Sequence, residues 1–110
     1  MEITVEKAND VAVVAMPVAE LDAANTAEFK RDMAPVLDAH AKVVLDLTRL
    51  RFIDSSGLGV LVSGYKNAAT HQGSIKLCSL QTQVKSMFEL TRLHRVFDIY
   101  QTMDEALESY

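Results

Sequence analysis

Phe52-Ile53-Asp54-Ser55-Ser56-Gly57-Leu58-Gly59-Val60-Leu61 changes its period part-way along. From Leu58 onward, Leu58, Leu61, Val62 and Tyr65 fall at i, i+3, i+4 and i+7. That spacing is one face of a helix beginning close to Ser56. Asp54, Ser55 and Ser56 stand ahead of it, and their side-chain oxygens can accept from the orphan N–H groups of a first helical turn. Upstream, Val43-Val44-Leu45-Asp46-Leu47 is β-branched-rich and nearly all apolar. Such a run predicts a central strand covered on both faces, which Thr48 to Ile53 connects to the serine turn.

Working outward, the same alternation recurs. Ile3, Val5 and Lys7 alternate with polar neighbours, and Val11 to Met16 is an apolar run ended by Pro17. The Asn9-Asp10 pair between them predicts an antiparallel hairpin. Asp22 and Asn25 are both candidate N-caps for a helix carrying Phe29, Met33, Val36 and Leu37 at helical spacing. Pro35 lies inside it and is expected to kink the axis or end it early. Gly73 is expected to stop the helix that follows the serine turn. Ile75 to Cys78 reads as a fourth strand, and Val84, Met87, Phe88 and Thr91 mark a third helix. Val96 to Tyr100 reads as a short edge strand. Thr102-Met103-Asp104-Glu105 has capping-box spacing ahead of a last short helix.

The order ββαβαβαβα implies right-handed crossovers and a single mostly parallel mixed sheet, antiparallel only at its first hairpin, with about four helices. In such α/β folds sites gather beyond the carboxyl ends of strands. The Leu21-to-Asn25 and Asp54-to-Gly59 loops both run from strand to helix, so they should share one edge.

A chain of 110 residues fits one domain, residues 1–110, with no repeat or linker to divide it. Hydrophobic residues at 49% against 24% charged supply a core and argue against disorder. The net charge of −4, with Lys and Arg scattered, speaks against nucleic acid as a partner. Cys78 is the one cysteine, so no internal disulfide can form. Neither a signal peptide nor an apolar run of the roughly 20 residues that span a bilayer is present, which points to a cytoplasmic protein without membrane insertion.

The serine turn resists catalytic readings. His40, His71 and His94 are the only histidines, and the first two follow predicted helices at their far ends from the serines. Gly-x-Ser-x-Gly is absent, as are a Gly-Lys-Ser/Thr phosphate loop and a complete dinucleotide fingerprint. The histidines lack ligand spacing, so no metal is expected, and no cofactor is implied. Cys78 and Met87-Phe88 read as core, and Asp46 as a carboxylate satisfied by backbone N–H groups or facing the serine loop. Two readings of Ser55 and Ser56 stay open on these grounds. They cap a helix, or they accept a phosphate that a helix N-terminus stabilises. Asp54 would then orient a hydroxyl or assist its deprotonation, and Gly57 and Gly59 would admit a partner's backbone.

Phe52 to Leu61 resembles the signature of the bacterial anti-sigma-factor antagonists, the small STAS-domain proteins. The likeness extends to Leu21-Asp22, to Val43 to Leu47, and to the Val84-to-Leu93 helix with Phe97 beyond it. It implies a STAS fold and a binding protein that is not an enzyme. Its unphosphorylated form would bind an anti-sigma factor that is also a serine kinase of the GHKL type, releasing sigma factor. The kinase would phosphorylate the serine after the aspartate, Ser55, with Ser56 as fallback, and a serine phosphatase would reverse the step. The partner surface so implied comprises Asp22, Asn25, Asp54, Ser56, Gly57, Leu58 and Gly59. The rival readings are a STAS adaptor subunit of a transport ATPase or sensory complex, without phosphorylation, and a nucleotide site at the glycine-rich turn.

Overall fold

The computed structural model describes every residue from Met1 to Tyr110. In chain order its elements are β1 (Val5–Ala8), β2 (Val11–Ala15), β3 (Glu20–Leu21), α1 (Thr26–Ala39), β4 (Lys42–Asp46) and β5 (Phe52–Ile53). There follow α2 (Ser55–Thr70), β6 (Ser74–Cys78), α3 (Thr82–Leu90), a 3₁₀ turn at Leu93–Arg95, β7 (Asp98–Tyr100) and α4 (Met103–Glu108). Five strands form one sheet in the order β1-β2-β4-β6-β7. The first pair is antiparallel across Asn9-Asp10, with Ala8 opposite Val11, and every later pair is parallel.

β4 lies in the middle, as its composition requires, with Val43, Val44 and Leu45 buried. Two apolar clusters flank the sheet. The larger holds 22 buried residues, among them Phe29 and Met33 of α1, Leu58 and Leu61 of α2, and Val84 and Phe88 of α3. The smaller joins Val11, Val44 and Cys78 to Ala106 of α4. Successive residues of β4, Val43 and Val44, belong to different clusters, so α4 covers the face opposite α1–α3.

The structure departs from the sequence expectations at three places. β3 and β5 form a separate two-stranded parallel ladder, with Glu20 opposite Phe52 and Leu21 opposite Ile53. Leu21 and Ile53 are buried, but two residues are too few to display a period. α1 does not end early at Pro35, one of the two expected outcomes, but runs on to Ala39, because Val36 and Leu37 beyond it are packed into the core. That burial offsets a proline cost of about 3 kcal/mol. Finally, Gly73 does not supply the left-handed turn after α2. Gln72 does, at φ 60°, while no glycine has positive φ. Gly73 answers a close approach instead, since a Cβ there would stand 2.8 Å from the Ala41 carbonyl oxygen.

Candidate functional site

The β3–β5 ladder decides the site, because it delivers both strand-to-helix loops side by side. The Asp54 N–H donates to the Leu21 carbonyl at 3.3 Å, one step beyond the ladder. Asp54 then caps α2, with Oδ1 accepting from the Gly57 N–H at 2.8 Å. Its Oδ2 accepts from the Ala23 N–H at 3.2 Å, so one carboxylate ties the turn before α1 to the start of α2. The two loops therefore share an edge, as the element order predicts.

The loop before α1 is closed by its own side chains. Asp22 Oδ1 accepts from the Ala24 N–H at 2.9 Å, and Asn25 Oδ1 accepts from the Asp22 N–H at 3.0 Å. Asn25 Nδ2 donates to the Glu20 carbonyl at 2.8 Å. Neither side chain caps α1, contrary to expectation. Asn25 occupies the cap position, but its amide is spent on the turn behind it, where Glu20 and Asp22 would otherwise leave backbone groups unpaired.

Ser55 and Ser56 are exposed at the first two positions of α2, and neither hydroxyl has a hydrogen-bond partner within the chain. The structure bears on two expected roles around them. Each oxygen of Asp54 accepts one backbone N–H, so the carboxylate ties the two loops together and keeps one further lone pair on each oxygen. Gly57 and Leu58, expected on a partner surface, are interior. A Cβ on Gly57 would lie 2.4 Å from the Leu21 carbonyl oxygen and 2.6 Å from Ile53 Cγ1. Leu58 is 3% exposed. Gly59 is exposed and a Cβ there meets nothing within 4 Å, so the fold itself does not ask for glycine at that position.

None of the three histidines is hydrogen-bonded to a serine hydroxyl of the turn. His40 and His71 are the C-cap residues of α1 and α2, and the 16 residues of α2 separate His71 from Ser55 by about 24 Å. His94 Nδ1 lies 3.3 Å from the Phe88 carbonyl. No group of three His, Cys, Asp or Glu side chains is placed to hold a metal ion. Asp46 is structural, its Oδ1 accepting from the Thr48 N–H and hydroxyl. The Cys78 thiol is pushed up mainly by burial; a Ser79 hydrogen bond lowers it and the Asp46 charge raises it. Two concavities, of 440 and 480 Å³, include neither serine. Sequence reasoning missed Ala23 and the Leu21 carbonyl, backbone groups that carry no signal in residue type.

The model of the STAS domain family matches residues 2–106. The chain belongs to the STAS-domain family. A candidate anti-sigma factor antagonist from Thermotoga maritima, known from its crystal structure, is 32% identical with a TM-score of 0.88. The match covers 97% of this chain and 92% of that one. An anti-sigma-factor antagonist (STAS) domain protein from Planctomyces limnophilus is 26% identical with a TM-score of 0.87, covering 97% and 96%. The anti-sigma-B factor antagonist of Bacillus subtilis is 29% identical over 80 residues, 73% of each protein. This STAS domain has no helix long and apolar enough to cross a membrane.

Proposed function

We propose that this STAS domain is an anti-sigma factor antagonist, a binding protein whose docking edge is switched by phosphorylation of Ser55. The observation that carries the reading is the unpartnered, exposed Ser55 hydroxyl at the N-terminus of α2, beside a loop pinned to it through Asp54. The unphosphorylated edge, built from Asp22, Asn25, Ser56 and Gly59, binds an anti-sigma factor that is also a GHKL-type serine kinase. Binding releases sigma factor in the cytoplasm. The kinase then moves the γ-phosphoryl of ATP to Ser55 Oγ and releases ADP. The hydroxyl proton leaves as the bond to phosphorus forms, and Asp54, adjacent in the chain, orients the hydroxyl or assists that deprotonation in the docked complex. A serine phosphatase restores the binding form by hydrolysis.

The electrostatics support a switch. A phosphoserine adds about −1.5 to −2 charges next to Asp22 and Asp54. If repulsion and desolvation cost the complex about 3 kcal/mol, affinity falls by roughly two orders of magnitude.

Intact mass spectrometry after incubation with candidate kinases and ATP tests this reading. One phosphate on the wild type and none on Ser55→Ala is expected, together with loss of kinase binding by Ser55→Asp. A phosphate retained by Ser55→Ala moves the switch to Ser56. A chain that takes no phosphate and holds its partner permanently is an adaptor, and the switch reading is then wrong.

A further inference from the structure

α4 is the only helix on its face of the sheet, and its own length cannot hold it there. Six residues are far below the roughly 12–15 at which an isolated helix becomes even marginal in water. Its fully buried contribution is Ala106 alone; Met103 and Leu107 are partly buried against Val11, Val44 and Cys78. None of these belongs to the 22-residue core on the other face. The helix is secured at its two ends. In front, Thr102 Oγ1 accepts from the Glu105 N–H at 3.1 Å.

Behind it, the chain ends in a polar clasp. The Tyr110 hydroxyl accepts from the Val43 N–H at 3.2 Å and faces the Val43 and Ser74 carbonyls at 2.9 and 3.0 Å, with the Ser74 hydroxyl at 2.8 Å. It thereby bridges the starts of β4 and β6. The Lys76 ammonium donates to the Ser109 carbonyl at 2.9 Å and to its hydroxyl at 2.8 Å. It also lies 4.2 Å from the centre of the Tyr110 ring and 5.6 Å from that of Tyr100.

We propose that residues 102–110 form a strap that opens as a unit while the main core stays folded, baring the apolar second face of the sheet at Val11, Val44 and Cys78. Release of the clasp removes the only long-range polar hold on a helix too short to persist by itself. The rest of the fold has no reason to follow, because 22 of its buried residues form a separate cluster on the far side of the sheet. The face it bares is distinct from the serine edge, and its opening is independent of the function proposed for that edge.

Cys78 lies beneath the strap with no exposed surface, so its thiol reports the opening. The test is the rate of labelling by a chromogenic disulfide reagent across a urea series, for the wild type, Tyr110→Phe and Val84→Ala. Local opening exposes little surface, so labelling should be nearly flat at low urea and bend onto the steep global-unfolding line at high urea. Tyr110→Phe removes the clasp hydroxyl, which is lost equally in the opened and unfolded states, and should speed both branches about tenfold. Val84→Ala weakens only the main core and should shift the steep branch while leaving the flat one in place. Hydrogen exchange of residues 102–110 should show the same two branches. Labelling that follows global unfolding at every urea concentration, or a low-urea branch that moves with Val84→Ala, overturns the proposal.

Discussion

Removing the Asp54 carboxylate separates two jobs that the structure gives to one side chain. Oδ1 caps α2 through the Gly57 N–H at 2.8 Å, and Oδ2 holds the Ala23 N–H at 3.2 Å. An N-cap replaced by alanine costs about 1 kcal/mol, and the negative charge at the helix start contributes a further ~0.5 kcal/mol. The bond to Ala23 is partly exposed and worth about 1 kcal/mol. Asp54→Ala should therefore lose about 2–3 kcal/mol in urea unfolding. For a chain of this size that corresponds to a melting temperature lower by roughly 8–12 °C. Asp54→Asn keeps one carbonyl oxygen, which caps α2 nearly as well, but its NH2 group cannot accept from Ala23. It should cost only about 1–1.5 kcal/mol. The amide resonances of Ala23 and Ala24 should shift in both variants, while that of Gly57 moves far more in the alanine form. Equal losses in the two variants, or an unmoved Ala23 amide in Asp54→Asn, would refute the tie between the loops.

The remaining predictions bear on packing, backbone and charge. Gly57→Ala drives a methyl group into the Leu21 carbonyl and should cost about 3 kcal/mol or leave the chain unfolded, whereas Gly59→Ala fills open space and should raise stability by up to ~1 kcal/mol in thermal melts. Phe88 is fully buried, edge-on to Phe97 with centroids 5.7 Å apart, so Phe88→Ala should lose about 3–5 kcal/mol in chemical denaturation. Gln72→Gly relieves a left-handed residue at φ 60° and should raise the melting temperature by a few degrees, while Gly73→Ala lowers it. Asp32 is held down to about 2 by its hydrogen bonds to Arg31 and to the Met1 ammonium. A carboxylate depressed on folding stabilises the native state above its unfolded value near 3.8 and loses that contribution as the pH falls towards 2. Acid titration of stability should accordingly be shallower in Asp32→Asn over that window.

What the sequence makes legible here is whatever has a period. Leu58 and Leu61 announce α2 and Val43 to Leu45 a central strand through apolar patterns that burial follows, and Thr102 to Glu105 announce a last helix through a cap that Thr102 Oγ1 makes to the Glu105 N–H. The failures share a different cause: a residue chosen for a neighbour distant in sequence. Gly73 looks like a helix stop because left-handed turns favour glycine, yet it answers to Ala41 across the sheet start, and Gln72 accepts the strained turn. Asp22 and Asn25 have the chemistry of caps, but the turn after β3 claims their side chains first. Asp54 is correctly legible as a cap, while its second bond, 31 residues away, follows from a ladder two residues long.

The same long-range tie bears on how the serine edge is built. Local propensity places Ser55 at a helix start, but it does not place Ala23 beside it. That juxtaposition rests on Leu21 and Ile53, both buried and paired in β3 and β5, and on a carboxylate joining the loops beyond them. A shift of the turn before α1 must therefore be felt at the first turn of α2, through Asp54 and through the Leu21 carbonyl lying under Gly57. The two loops are thus joined at two points, the Asp54 carboxylate on the Ala23 N–H and the Leu21 carbonyl beneath Gly57, so the position of Ser55 depends on residues more than 30 places earlier in the chain.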